Sequence, residues 1–191
     1  RDFNLTVITP ESPDTDHLWV RDHIDTKTGF RSLASFWLPN ADKIIPFGVV
    51  CYDFKQAAET AYWFASRGET CVMKADTGES GIGIPVVTPE AGLTVENILN
   101  RLPHQPFYAN EPIIVESYIP SAQKISPSIE VYVPKLGSGE PNITYISTQL
   151  FLGFGDFCGI QVDRKIYDQT WCKVLEQSGL ELARRLQLMG Y

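Results

Sequence analysis

The chain has no apolar run approaching the roughly 20 residues that a bilayer-spanning helix needs, so no membrane span is expected. It also has no stripe of Lys and Arg: 16 basic residues face 23 acidic ones, for a formal net charge of -7. Nucleic acid and anionic membrane surfaces are therefore not expected partners, although an acidic total still permits a local phosphate site. Cysteine is scarce. Cys51, Cys71, Cys158 and Cys172 form no C-x-x-C pair, and Cys51 and Cys71 stand beside apolar residues, as buried thiols do in a reducing compartment. The three histidines, His17, His23 and His104, have neither metal-ligand spacing nor a nucleophile motif beside them, so neither a zinc site nor a catalytic triad is expected. The polar start Arg1-Asp2-Phe3-Asn4 is not a signal peptide, and a cytoplasmic location is the default expectation. There is no internal repeat or low-complexity tract.

What is present is an ordinary globular composition, 43% apolar and 20% charged over 191 residues. That length allows one domain, or one domain plus a fragment of another, and buries a sizeable core without disulfide or metal staples. Residues 1 to about 45 read as loop-rich, with Pro10, Pro13 and Pro39 and a short strand candidate over Leu5 to Thr9. From Asp53 the pattern predicts a helix. Asp53 can cap it, Phe54, Ala57, Ala58, Ala61, Phe64 and Ala65 share one face, and Gly68 stops it. Cys71-Val72-Met73 is a short apolar strand ending at Lys74, and Ile84 to Val87 is its returning partner. Thr94 caps a helix to about Leu102, and Pro112 to Val115 reads as a buried strand closed by Glu116. Ile129 to Val133, Ile143 to Leu152 and Gly159 to Val162 suggest an antiparallel sheet, and a long helix is predicted from about Asp168 to Met189.

The segment richest in chemistry is Lys74-Ala75-Asp76-Thr77-Gly78-Glu79-Ser80-Gly81-Ile82-Gly83. A loop of this kind presents backbone N–H groups to phosphate oxygens, glycine permits the close approach, and a lysine adds a charge-assisted contact. It is neither the G-x-x-x-x-G-K-[ST] P-loop nor the G-x-G-x-x-G of a dinucleotide fold. Taken alone, it fits an ordinary glycine-rich hairpin as well as a phosphate loop. Further on, Ile113-Ile114-Val115-Glu116-Ser117-Tyr118-Ile119-Pro120 is a buried strand that becomes a hinge just after an acid. Such a hinge can offer main-chain groups to an adenine edge, an apolar cover to its ring, and a carboxylate to an amino or ribose hydroxyl group. A strand ending at a solvated glutamate is the plainer reading of the same residues.

With the later strand Ser126-Pro127-Ser128-Ile129-Glu130-Val131-Tyr132-Val133, these segments resemble the ATP-grasp superfamily in order, spacing and residue type over residues 27–191. The resemblance implies an α+β fold of two small subdomains with antiparallel sheets and packed helices. It implies a lid subdomain over about 47–112 and a second subdomain over about 113–191, incomplete, with residues 1–26 a remnant of a preceding domain. In that family ATP lies between the subdomains under a glycine-rich lid whose closure excludes water from a reactive acyl-phosphate. By the resemblance Lys74 reaches the phosphates, and Gly78, Ser80, Gly81 and Gly83 form the lid loop. Glu116, Ser117, Tyr118 and Ile119 form the adenine hinge, and Glu130 lies near the ribose or the acceptor, or is a structural acid. A basic residue on an upstream helix also belongs to the pattern. Lys27 is its best match and Arg31 a close competitor.

The family's magnesium site, an acid followed by an acid-x-Asn pattern on late strands, has no counterpart before Tyr191. The sequence is therefore expected to be part of a longer enzyme, with no metal ligands of its own. Asp156, Asp163 and Asp168 read as turn residues or a helix cap. The glycines from Gly153 to Gly159 read as a turn or bulge, with acceptor binding the alternative, and Arg164 and Lys165 as a solvated turn or a carboxylate site. The implied activity is that of an ATP-dependent ligase with small-molecule carboxylate and amine substrates, forming an amide or peptide bond through an acyl-phosphate. A homo-oligomer is compatible with it. A kinase-like member, or a regulatory nucleotide-binding module without catalysis, is the alternative.

Overall fold

The computed structural model describes residues 15–78, 84–101, 110–120, 125–153 and 156–191. The strand candidate over Leu5 to Thr9 lies outside them. Among the described residues no helix is long and apolar enough to cross a membrane.

The first departure from the sequence reading is at the start. Instead of loop, a single 3-10 turn at Thr15–His17 leads into three helices, α1 (Leu18–Ile24), α2 (Lys27–Trp37) and α3 (Ala41–Ile44). Of the prolines that suggested loop, Pro10 and Pro13 lie outside the described residues, and Pro39 follows Leu38, the C-cap of α2. The helical signal was the capping residue Thr26, whose side chain accepts from Gly29 N, followed by apolar residues at helical spacing. α1 and α2 meet closely at Gly29, where an added Cβ would lie 1.9 Å from the His23 carbonyl oxygen. Glycine is required there to let the backbones approach.

Next comes a four-stranded antiparallel sheet in the order β1-β4-β2-β3, formed by β1 (Gly48–Cys51), β2 (Cys71–Ala75), β3 (Val86–Val87) and β4 (Ile113–Ser117). β4 pairs with both β1 and β2, so residues 113–117 share a sheet with the strands that precede them. One face is covered by α4 (Phe54–Ser66) and α5 (Val95–Arg101), and a core of Cys51, Ala57, Ala58, Ala61, Phe64, Cys71, Met73, Ile98, Ile113 and Val115 fills the gap. The alanine face of α4 lets that helix sit low on the sheet, while Phe64 supplies the bulk; truncating such a fully buried ring costs about 3–5 kcal/mol. Asp53 caps α4 by accepting from Gln56 N, and Gly68, at φ 78°, follows its end.

The second sheet is antiparallel, in the order β5-β6-β7, from β5 (Pro127–Tyr132), β6 (Asn142–Phe151) and β7 (Phe157–Gln161). A bulge between Glu130 and Val131 shifts the register, so that Ile129 pairs with Ile146 and Val131 with Ile143. Those apolar residues pack under α6 (Cys172–Leu188), where Gly179 leaves room for Ile129. α6 begins later than predicted. Asp168 ends a separate 3-10 turn, Arg164–Asp168, capped by Asp163, and extended backbone at Gln169 (ψ 140°) breaks the helical path before Cys172. At the other end of α6, buried Gln187 donates to the carbonyls of Pro134 (2.7 Å) and Gly139 (2.9 Å), fixing the helix to the β5–β6 turn.

Candidate functional site

Strand alternation sorts the first sheet into two faces. In β2, Cys71, Met73 and Ala75 point into the core under α4, so Val72 and Lys74 take the opposite face. The register sets Val72 opposite Glu116, and Glu116 opposite Gly48. Lys74 pairs with Ile114, which makes it a diagonal neighbour of Glu116, within reach of a long side chain. Lys74 Nζ donates to Glu116 Oε1. From α2, Arg31 Nη1 donates to Glu116 Oε2 at 2.9 Å, and its Nη2 donates to the Pro46 carbonyl. One carboxylate thus holds two cations, one on each oxygen. The side chains of Arg31, Lys74 and Glu116 are 18%, 32% and 10% exposed, so the group is largely desolvated and carries a net charge of +1.

Gly48 makes this arrangement possible. A Cβ there would lie 2.7 Å from Glu116 Cβ, 3.0 Å from the Val115 carbonyl oxygen and 3.1 Å from Arg31 Nη2.

The loop after β2 is tied to the start of α2. Asp76 is 5% exposed; its Oδ1 accepts from Thr28 N at 2.7 Å and its Oδ2 from Thr28 Oγ1 at 2.9 Å. Lys27 N donates to the Asp76 carbonyl (3.1 Å), and Lys27 Nζ to the carbonyls of Asp76 and Gly78. With Gly29 N bonded to Thr26 Oγ1 and Phe30 N to the Thr26 carbonyl, the first N–H groups of α2 all have protein partners. The positive end of that helix is answered by Asp76. Thr77 adds a further tie through its N–H and hydroxyl to Glu111.

The sequence-derived residues therefore divide into groups. Lys74 and Glu116 come together, and Arg31, the competitor to Lys27, is the cation that joins them. Lys27 and Gly78 meet at the base of the loop. Ser80, Gly81 and Gly83 lie outside the described residues. At the hinge, Ser117 N donates to the Phe47 carbonyl and Tyr118 N to that of Thr70. Both of those N–H groups are therefore spent within the protein. Ile119 is exposed and Tyr118 partly so. Glu130 is on the second sheet, opposite Tyr145, where its hydrogen bond and charge hold the Tyr145 phenol above its usual range.

The roles of Asp76, Thr28 and Gly48 were not singled out from sequence. A signal was available for Arg31: it stands four residues after Lys27, on the same face of a helix. An open cleft of about 460 Å³ lies beside the loop base, lined by Asp22, Asp25, Thr26, Lys27, Thr77 and Gly78. Its two carboxylates suit it poorly to phosphate, and it excludes the Arg31, Lys74 and Glu116 group. Among the described residues no group of three or more His, Cys, Asp or Glu side chains is placed to hold a metal ion.

No family model matches the chain, and no curated protein matches it. Among solved structures, D-alanyl-alanine synthetase A from Vibrio cholerae O1 biovar eltor str. N16961 superposes with a TM-score of 0.54 at 12% sequence identity. The match covers 88% of this chain and 48% of that one. The fold is ATP-grasp-like. The α+β architecture implied by the sequence, with two antiparallel sheets and packed helices, is thus present. This chain spans about half the length of the synthetase it superposes on.

Proposed function

We propose that the chain binds ATP on the Arg31–Lys74–Glu116 face of the first sheet and forms the nucleotide-binding part of an ATP-dependent ligase. That ligase activates a small-molecule carboxylate as an acyl-phosphate for attack by an amine. The observation that carries this reading is the placement of two cations, held by one carboxylate, on the face of the first sheet turned away from α4, between the base of the loop after β2 at one end of the β2–β4 pair and the hinge after β4 at the other. Arg31 and Lys74 face the phosphates. The loop from Gly78 through Gly83 covers them, the 116–119 hinge takes the adenine, and Glu130 lies toward the ribose or acceptor. Lys27 and Asp76 act by fixing the base of the loop to α2.

Phosphoryl transfer asks little covalent chemistry of a protein. These residues contribute by positioning the nucleotide and opposing its charge. Magnesium supplies further charge neutralisation in such reactions, and none of the described residues is assigned to it.

Calorimetric titration with ATP and a non-hydrolysable analogue, with and without magnesium, tests the binding. Saturable binding that Lys74→Ala weakens by at least about tenfold supports the reading, since one charge-assisted contact contributes roughly 1.5–3 kcal/mol. A folded chain that binds neither nucleotide contradicts it.

A further inference from the structure

We propose that Glu116 is a built-in counter-ion, one that sets which anions the Arg31–Lys74 pair accepts and must be displaced from Lys74 when a polyphosphate enters. The ligand class rests on the nucleotide reading given above; the counter-ion role rests on the geometry alone. Glu116 spends one carboxylate oxygen on each cation, so an incoming anion finds neither cation free and meets a fixed negative charge. Glu116 has the least exposed of the three side chains and Lys74 the most exposed. The cations, not the carboxylate, are therefore what a ligand reaches first.

The two cations are held differently. Arg31 is pinned by the Pro46 carbonyl on its second terminal nitrogen, and its planar fork is pre-organised. Lys74 is a point charge on a flexible stem whose tip is bound to Glu116. The ammonium is the group able to change partner. A monophosphate can replace only part of what Glu116 provides and still feels its repulsion. A chain of phosphates can contact the pinned guanidinium and the swung ammonium together and so offset both losses. The carboxylate thus discriminates against small anions, at the cost of weaker binding for all of them.

The test is calorimetry in magnesium-free buffer with inorganic phosphate, inorganic tripolyphosphate and ATP, on the wild-type chain, Glu116→Gln and Arg31→Gln. Glu116→Gln is expected to bind tripolyphosphate at least about tenfold more tightly and to narrow the gap between tripolyphosphate and phosphate. Arg31→Gln keeps the Lys74–Glu116 pair and is expected to bind tripolyphosphate at least about tenfold more weakly than wild type. A folded Glu116→Gln chain with unchanged or weaker tripolyphosphate affinity overturns the proposal. If that variant does not fold, Arg31→Gln decides: unchanged affinity overturns it. No tripolyphosphate binding by any folded variant also overturns it. ATP binding by wild type without the Glu116→Gln gain sinks the counter-ion role alone. The gain without ATP binding sinks only the nucleotide reading.

Discussion

Replacing Asp76 by alanine removes a buried carboxylate that joins the loop after β2 to the first turn of α2. Two hydrogen bonds to a charged acceptor are lost, from Thr28 N at 2.7 Å and Thr28 Oγ1 at 2.9 Å, each contributing about 1.5–3 kcal/mol. The charge also opposes the positive end of α2, a further ~0.5 kcal/mol. Against this, the variant no longer has to desolvate an ionised group, which recovers a few kcal/mol, while water reaching the vacated space satisfies Thr28 in part. The expected net loss is about 2–4 kcal/mol. With a urea slope near 2 kcal/mol/M for a chain of this size, the unfolding midpoint falls by about 1–2 M. Asp76→Asn keeps an acceptor for Thr28 N and should lose roughly half as much. Thr28→Val removes only the hydroxyl contact, and the double variant should show a coupling of about 1 kcal/mol or more. A midpoint shift below about 0.3 M for Asp76→Ala would refute the view that this carboxylate anchors the loop.

Gly48→Ala brings a methyl group against the Val115 carbonyl oxygen and Glu116 Cβ; a loss of about 1–3 kcal/mol is expected from thermal unfolding, and an unchanged Tm would speak against close approach there. Burial pushes the Cys71 thiol up to about 12, whereas an unfolded thiol ionises near 8.5. The stability it confers is thus intact below about pH 8.5 and falls as the pH rises toward 12, by up to about 1.4 kcal/mol per pH unit. Urea unfolding at several alkaline pH values should show a shallower loss in Cys71→Ala, and identical slopes would discount the thiol. Glu130→Ala removes the acceptor and charge that hold the Tyr145 phenol high; phenolate absorbance should then develop at lower pH, and an unmoved titration would dissolve that pair.

Much of the fold was legible because its signals are local. Asp53 with the alanine face of α4, the unbroken apolar run of β4, and the glycines after α4 and α6 act within a few residues. The α1–α2 region was missed because Asp22 sits within α1 without breaking it and Pro39 lies beyond the end of α2; the counter-signal was the Thr26 cap with apolar residues at helical spacing after it. Of the candidate site, Lys74 and Glu116 were readable from the strand ends they occupy. Their salt bridge was not, since it depends on β4 lying between β1 and β2, a pairing across about forty residues. The choice between Lys27 and Arg31 was likewise closed to sequence, because four residues on one helix face point both the same way. What separates them is the loop carbonyls that take Lys27 and the carboxylate that takes Arg31.

The measurement that bears most directly on nucleotide binding is calorimetric titration of the wild-type and Lys74→Ala chains with ATP, with and without magnesium. Saturable wild-type binding, weakened at least about tenfold by Lys74→Ala while the unfolding midpoint stays within reach of wild type, is the expected result. Wild-type binding left unchanged by the substitution would remove Lys74 from the site, and a folded wild-type chain that takes up no ATP would contradict nucleotide binding by this face altogether.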